Sequence, residues 1–394
     1  TILVHPGVYY DEIWLYEKNV VLGSLYLTTD DTSFISSTIL DGDSTDCTLA
    51  IYGNIDSTCR VTGFTIQNGA GCVYGQGAGI YIESSSPILD NLVIKNNLGT
   101  NGGGICLNGN SNSVIDKVII KNNSSEQGGG IYSFNSNPII TNSEIKNNYS
   151  NNGGGVFLEL DMSTFQNVII ANNNAANSGG GIYCVLNSNP NYNRVTVSNN
   201  SAANGGGILS DQNSQPVFSN SILWNDSPEE IISHPDSLTI SFSNIQGGWP
   251  GVGNINQDPL FCMLEHGYYT LAENSPCLLA GENGTTMGAL NVGCNSINFP
   301  PSEFSLVSPV DNHQLVISPD NEEQSLLFRW EESLDYNGDS LNYFLSFNVE
   351  DAFHDTIDTY NFETAVPFSY FFETFSLIEL NSGTIFWNVN VSDS

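Results

Sequence analysis

Three carboxylic acids, Glu159, Asp161 and Asp211, have the chemistry needed to cut a sugar polymer. Inverting hydrolysis of a glycosidic bond uses one acid to protonate the leaving oxygen and one carboxylate to activate water, held roughly 6.5–9.5 Å apart. Glu159 and Asp211 fall at outward positions of a repeated unit, two units apart. Strands stacked at about 4.8 Å place them roughly 10 Å from each other, just outside that range. Asp161 stands two residues from Glu159 as a further acid. Acids are plentiful in this chain and meet such spacings by chance, so the three are catalytic candidates without a shared motif.

A second chemistry is offered by rings. Tyr81, Tyr132, Phe157 and Tyr183 recur at one position of the unit, which Cys106 and Leu209 also occupy. Aromatic faces in a row can stack on sugar rings, which makes the four candidate ligand-binding residues. They can equally stack on one another and stabilise the chain. In the segment DYNGD, Asp335, Asn337 and Asp339 offer alternate oxygen ligands around a glycine, as a calcium turn does, but the distal Glu of an EF-hand loop is missing. An Asx-rich turn reads the same. Calcium is therefore the single cofactor to consider; no other is signalled.

Other chemistries find little support. Lyase cleavage of uronic acids calls for a Lys or Arg base, and the chain has only 8 basic residues against 42 acidic ones. Lys95, Lys121 and Lys146 share one position of the unit, each just before an Asn pair, and read as solvated lysines at a turn. The histidines His5, His234, His266, His313 and His354 are scattered, and no nucleophilic triad is signalled. Eight cysteines include no CxxC pair, so no zinc site is expected. The groups 47/59/72 and 262/277/294 can each hold a disulfide, as in a secreted protein, with the pairing open. Cys106 and Cys184 lie three units apart, roughly 14 Å, which is too far to bridge.

The elements that must position these residues are written as a repeat. GGGIY stands at 128–132 and again at 179–183, with GAGIY at 77–81, GGGIC at 102–106, GGGVF at 153–157 and GGGIL at 205–209. The residue after the last glycine is Ile80, Ile105, Ile131, Val156, Ile182 and Ile208, so the period is 25 or 26 residues. Two further markers keep the same time. One is Pro87, Ser113, Pro138, Ser163, Pro190 and Pro216; the other is the Asn pair from 96–97 to 199–200, echoed by Asn225-Asp226. Fixed spacing of this kind means stacked units that bury their apolar faces against each other.

Within a unit the apolar residues alternate with period two and are separated by Gly, Asn and Ser clusters, which predicts short strands and turns. Coils of this length predict an all-β fold: a right-handed parallel β-helix of about 25–26 residues per coil. Stacking then aligns an aliphatic column Ile80–Ile208 and a second, Ile94, Ile120, Ile145, Ile170, Val197 and Leu223. Asn91, Asn142, Asn167 and Asn220, interrupted by Lys117 and Arg194, are expected to form a stacked amide ladder. The glycines are expected to supply turns with φ > 0.

Segments HPGVYY, VTGFTIQNG, the GGGIY units and the tail QDPLF…SPCLLAG…MGALNVGC resemble secreted bacterial right-handed β-helix proteins of the pectate-lyase-like superfamily. The resemblance covers residues 1–295 and implies the fold; in that superfamily, lyases and hydrolases work on polysaccharides along the helix faces. The Asn-Thr-Asp and Gly-His-Gly motifs of related polygalacturonases are absent from this chain. Residues 1–299 are thus assigned to the β-helix, with an N-terminal cap expected upstream of Thr1. After NSINFPPSE the style changes to aromatic-rich alternation (LLFRW, LNYFLSF, GTIFWNVNV), and 300–394 resembles a fibronectin type III-like β-sandwich, expected to be incomplete.

A formal charge of −34 repels nucleic acid and anionic lipid. No run of about 18 apolar residues exists to insert in a membrane. The resulting expectation is a non-catalytic extracellular or cell-surface β-helix for adhesion, surface display or binding of a polysaccharide or cell-surface glycan. A polysaccharide hydrolase is the alternative, with a lyase behind it, and self-association into a structural assembly is the third reading.

Overall fold

The computed structural model describes residues 1–72, 75–233, 237–264, 267–297, 305–308, 329–330, 333, 341–351, 356–364 and 383–393. The chain divides into two compact units, Thr1–Ser296 and Ile297–Ser394.

The first unit is a right-handed parallel β-helix. One face is a nine-stranded parallel sheet running from Ile13–Tyr16 through Leu49–Tyr52, Ile80–Glu83, Ile105–Asn108, Ile131–Phe134, Val156–Glu159, Ile182–Val185 and Ile208–Ser210 to Ile231–Ser233. The rest of each coil contributes two short strands to an 18-stranded sheet, for example Ile88–Asp90 and Val93–Lys95, then Val114–Asp116 and Ile119–Lys121. Both aliphatic columns form as the period predicts. Ile80, Ile105, Ile131, Val156, Ile182 and Ile208 pair in register, as do Ile94, Ile120, Ile145, Ile170, Val197 and Leu223. All are buried. Stacking supplies every coil with an apolar floor and roof that no coil could make alone.

The polar ladder lies elsewhere than expected. Asn91, Lys117, Asn142, Asn167, Arg194 and Asn220 all adopt positive φ and form the corner between the two short strands. Asn tolerates that backbone better than other side chains, and Lys117 and Arg194 take it as well. Asn142 and Asn167 still share a hydrogen bond, but the row is not continuous. The continuous ladder is the second residue of the Asn pair. The first member (Asn96, Asn122, Asn147, Asn172, Asn199) sits at positive φ and turns the second inward. There Asn97, Asn123, Asn148, Asn173 and Asn200 donate side-chain N–H to the next coil's Oδ1 at 2.9–3.1 Å, ending on Asp226. The same Oδ1 atoms accept the backbone N–H of the preceding ladder residue.

Glycine serves the ladder as well as the turn. Only the first glycine of each triplet has positive φ, +60° to +68° from Gly77 to Gly205. At the third, a Cβ on Gly130 would lie 2.6 Å from the Gly155 carbonyl oxygen and 3.1 Å from Asn148 Nδ2. The two repeated phrases are thus parts of one device: the glycine is small because the amide ladder runs past it.

Past the last regular coil the chain does not simply end in further coils. Phe261–Met263, Tyr268–Ala272 and Val292–Cys294 form a small mixed sheet that folds back over the side of the helix. Phe261, Tyr269, Leu271 and Met287 pack there against Ile169, Ala171 and Ile222. Arg194 donates to the Gly288 carbonyl, and Asn172 to Tyr269 Oη. Disulfides join Cys47 to Cys72 and Cys262 to Cys294, one in each expected group; Cys59, Cys106, Cys184 and Cys277 are free and buried. Near the start, the short helices Tyr26–Thr29 and Ser33–Ser37 interrupt the strands. Among the described residues no helix is long and apolar enough to cross a membrane.

In the second unit Leu306–Ser308 pairs antiparallel with Arg329–Trp330. Leu341–Asp351 lies between Thr356–Thr364 and Gly383–Asp393, also antiparallel. Trp330 and Tyr343 connect these two sheets with ring centroids 5.6 Å apart. Asp335, Asn337 and Asp339 lie outside the described residues.

Candidate functional site

The nine-stranded face carries most of the candidate chemistry, because its outward columns are aligned by the register. Tyr81, Cys106, Tyr132, Phe157, Tyr183 and Leu209 form one column, and Glu83, Asn108, Phe134, Glu159 and Val185 the next. The rings are mostly spent on each other. Tyr132 stacks on Phe157 with centroids 5.4 Å apart, and Phe157 meets Tyr183 edge-on at 5.1 Å. Tyr81, Tyr132 and Phe157 are 3%, 7% and 5% exposed, so a sugar row laid across all four rings finds them covered. Tyr183 alone of the four is half-buried and keeps surface.

The three acids part company. Glu159 ends its strand half-buried, and its Oε2 accepts the Tyr132 hydroxyl at 2.8 Å. Leu160, at φ +54°, reverses the alternation, so Asp161 turns into the core. There Oδ2 accepts Ser133 Oγ at 2.5 Å, and Oδ1 accepts the Ser163 N–H at 2.7 Å and the Ser163 hydroxyl. Burial pushes its pKa up to about 6, against the lowering by those three bonds. Asp211 follows the strand Ile208–Ser210 and is exposed, with Oδ1 accepting the Gln212 N–H. Burial, and then the charge of Asp211, raises the Tyr183 hydroxyl. Asp161 cannot share a surface substrate with the other two, so the trio does not form one acid–base set.

What the fold does bring together is a shallow depression of about 290 Å3. Its amides are Gln127, Asn152 and Gln212, its rings Phe157 and Tyr183, and its carboxylate Glu159, beside Val185 and Leu186. Neutral amides and a carboxylate next to a ring edge can bond hydroxyl groups while an apolar face rests on carbon. The amides were overlooked in the sequence. Gln127 and Asn152 pair in register immediately before their glycine triplets, at a position that reads only as a separator between strands.

A smaller depression of about 150 Å3 opens on the same face, lined by Trp14, Ala50, Tyr52, Cys72, Tyr81 and Glu83. Nearby, Glu12, Asp46, Cys47 and Cys72 each contribute one ligand atom within 4.8 Å of the others. The Cys47–Cys72 disulfide withdraws both sulfurs, leaving two carboxylates, too few for a metal centre. Two basic groups are engaged elsewhere: Arg60 holds Asp90 through two bonds of 2.7 and 2.6 Å, and Lys146 bonds Glu144. Lys95, Lys121 and Lys146 do align, but on the 18-stranded sheet.

Residues 49–223 match the family model described as a right handed beta helix region. The match spans less than half of the chain and agrees with the β-helix fold seen there. The crystal structure of the pectate lyase Pel9A is similar to this chain at 14% identity and a TM-score of 0.41, covering 74% of this chain and 88% of that one. No curated protein sequence matches it.

Proposed function

We propose that the β-helix is a non-catalytic, extracellular or cell-surface polysaccharide-binding module, with the depression at Glu159 and Tyr183 as its sugar-contacting surface. One observation supports this reading over an enzyme. Glu159 is tied to Tyr132 while its neighbour Asp161 faces the core, so these two acids do not face each other across the groove, whose lining is otherwise amides, rings and aliphatic side chains. A charge of −34 favours a neutral polymer over an acidic one.

The test is incubation with neutral and acidic polysaccharides, with and without calcium, following both retention and polymer size. Retention of a neutral polymer at unchanged length, lost in Tyr183→Ala, is the expected result. Shortened chains that persist in wild type and vanish in Glu159→Gln and Asp211→Asn make the protein a hydrolase. Neither retention nor shortening leaves adhesion to protein, display or self-assembly as its work.

A further inference from the structure

We infer that the depression at Trp14, Tyr52 and Glu83 is a second subsite for a neutral pyranose, on the same face as the groove at Glu159, so that one polymer laid along the helix axis meets both. The inference deepens the binding reading above and rests on it for the polymer, though not for the subsite itself.

The first support is a duplication written in the sequence and placed by the register. IYIE at 80–83 and VFLE at 156–159 are the same phrase, an aromatic residue and a glutamate at the second and fourth positions of a strand. Glu83 and Glu159 stand in one column, three coils apart through Asn108 and Phe134, which is about 14 Å at the usual strand spacing. Each glutamate lines its own depression together with the ring two residues before it.

The second support is ring geometry. Trp14 is in register with Ala50 and Tyr81, so the small Ala50 leaves a gap between two rings of one column. Trp14 stays 46% exposed. It meets Tyr52 at 5.4 Å and 82°, two perpendicular rings bounding a corner, and Tyr16 backs Tyr52 at 4.9 Å. Cys72, held by its disulfide to Cys47, walls the site. A corner of rings beside a carboxylate suits a ring that is apolar on its faces and hydroxylated at its edge. None of the lining residues is basic, which disfavours an anionic sugar.

The experiment uses the full chain with neutral disaccharides and hexasaccharides of cellulose, mannan and laminarin and with the parent polymers. The expected result is a change in tryptophan emission on hexasaccharide binding that is missing in Trp14→Phe. The polymer binds on the order of 10²-fold more tightly than its disaccharide, which is too short to reach from one glutamate to the other, as two linked sites allow, and Trp14→Ala removes that gain. The Trp14→Phe variant keeps a ring in place, so its loss of signal is read on a packed coil even if Trp14→Ala disturbs folding. Absence of any Trp14-dependent change, polymer retention untouched by Trp14→Ala, or a shift of oligomeric state in that variant in place of lost binding overturns the inference. Retention sensitive to Tyr183→Ala but not to Trp14 leaves the groove standing alone. A Trp14 signal with retention insensitive to Tyr183 leaves this subsite standing and removes the groove.

Discussion

Asn148 donates its side-chain N–H to Oδ1 of Asn173, one coil along, at 3.0 Å, while its own Oδ1 accepts the backbone and side-chain N–H of Asn123. A second bond runs from Asn148 Nδ2 to the Ile120 carbonyl. Each ladder amide therefore ties three coils together from inside the core, where water cannot substitute.

Asn148→Ala is expected to destabilise the helix by about 3–5 kcal/mol, because several buried partners are orphaned at about 1–3 kcal/mol each. Gly130→Ala is expected to act on the same bonds from the other side, since its Cβ meets Asn148 Nδ2 and the Gly155 carbonyl. Denaturant unfolding followed by circular dichroism reads both. A stability unchanged by either substitution removes the ladder from the forces that hold the array.

Asp161 predicts a pH dependence. Its ordinary value is 3.8 and its folded value about 6, so as pH rises from about 4 to about 6 the unfolded chain gives up its proton first. Stability therefore falls across that window, by on the order of 3 kcal/mol for this group. Below pH about 4 both states are protonated and the effect is absent. Asp161→Asn keeps the one oxygen that accepts both Ser163 bonds and is expected to flatten the slope; thermal midpoints measured at pH 4.5 and 7.5 compare the two proteins.

The ladder ends on an acid where every earlier rung is an amide. Asp226 Oδ1 accepts two bonds from Asn200, and the Asp226 N–H donates to Glu230 Oε1. Asp226 Oδ2 and Glu230 Oε2 are buried without a hydrogen-bond partner. Burial raises both pKa values well or clearly above the ordinary range, and for Asp226 the charge of Glu230 adds to it. Raised carboxyls lose stability as pH rises, so Asp226→Asn is expected to raise the thermal midpoint at pH 8 and to do little at pH 4. A midpoint lowered at pH 8 refutes this account of the pair.

Removing the Cys47–Cys72 bridge, which closes a separation of 25 residues, is expected to cost about 3 kcal/mol by loop closure. The double variant Cys47→Ser, Cys72→Ser is measured by thermal unfolding. The same variant is expected to weaken the Trp14 emission response to hexasaccharide, because Cys72 walls that depression.

The period, the coil and both aliphatic columns were legible because Ile80 and its successors recur with unbroken spacing. Which Asn makes the ladder was not. Asn91 heads a row broken by Lys117 and Arg194 and Asn97 an unbroken one, but a strand reading gives neither a direction; the positive φ at Asn96 is what turns Asn97 inward. Asp161 was misplaced for a similar reason, since one left-handed residue, Leu160, reverses the alternation a strand reading assumes. Trp14 and Tyr52 stayed unseen because the early coils lack the glycine and Asn markers, so nothing in the sequence shows that they align with Tyr81 and Glu83.

The interchangeable rungs have one more consequence. Because Asn97 offers Asn123 the same atoms that Asn123 offers Asn148, excising residues 97–122 as a block would rejoin equivalent ends. Glu83 and Glu159 would then approach by one strand step, about 4.8 Å, with every lining residue of both depressions kept. The distance between them is a ruler with fixed graduations, and a series of such excisions and duplications would reveal which graduation a bound chain prefers.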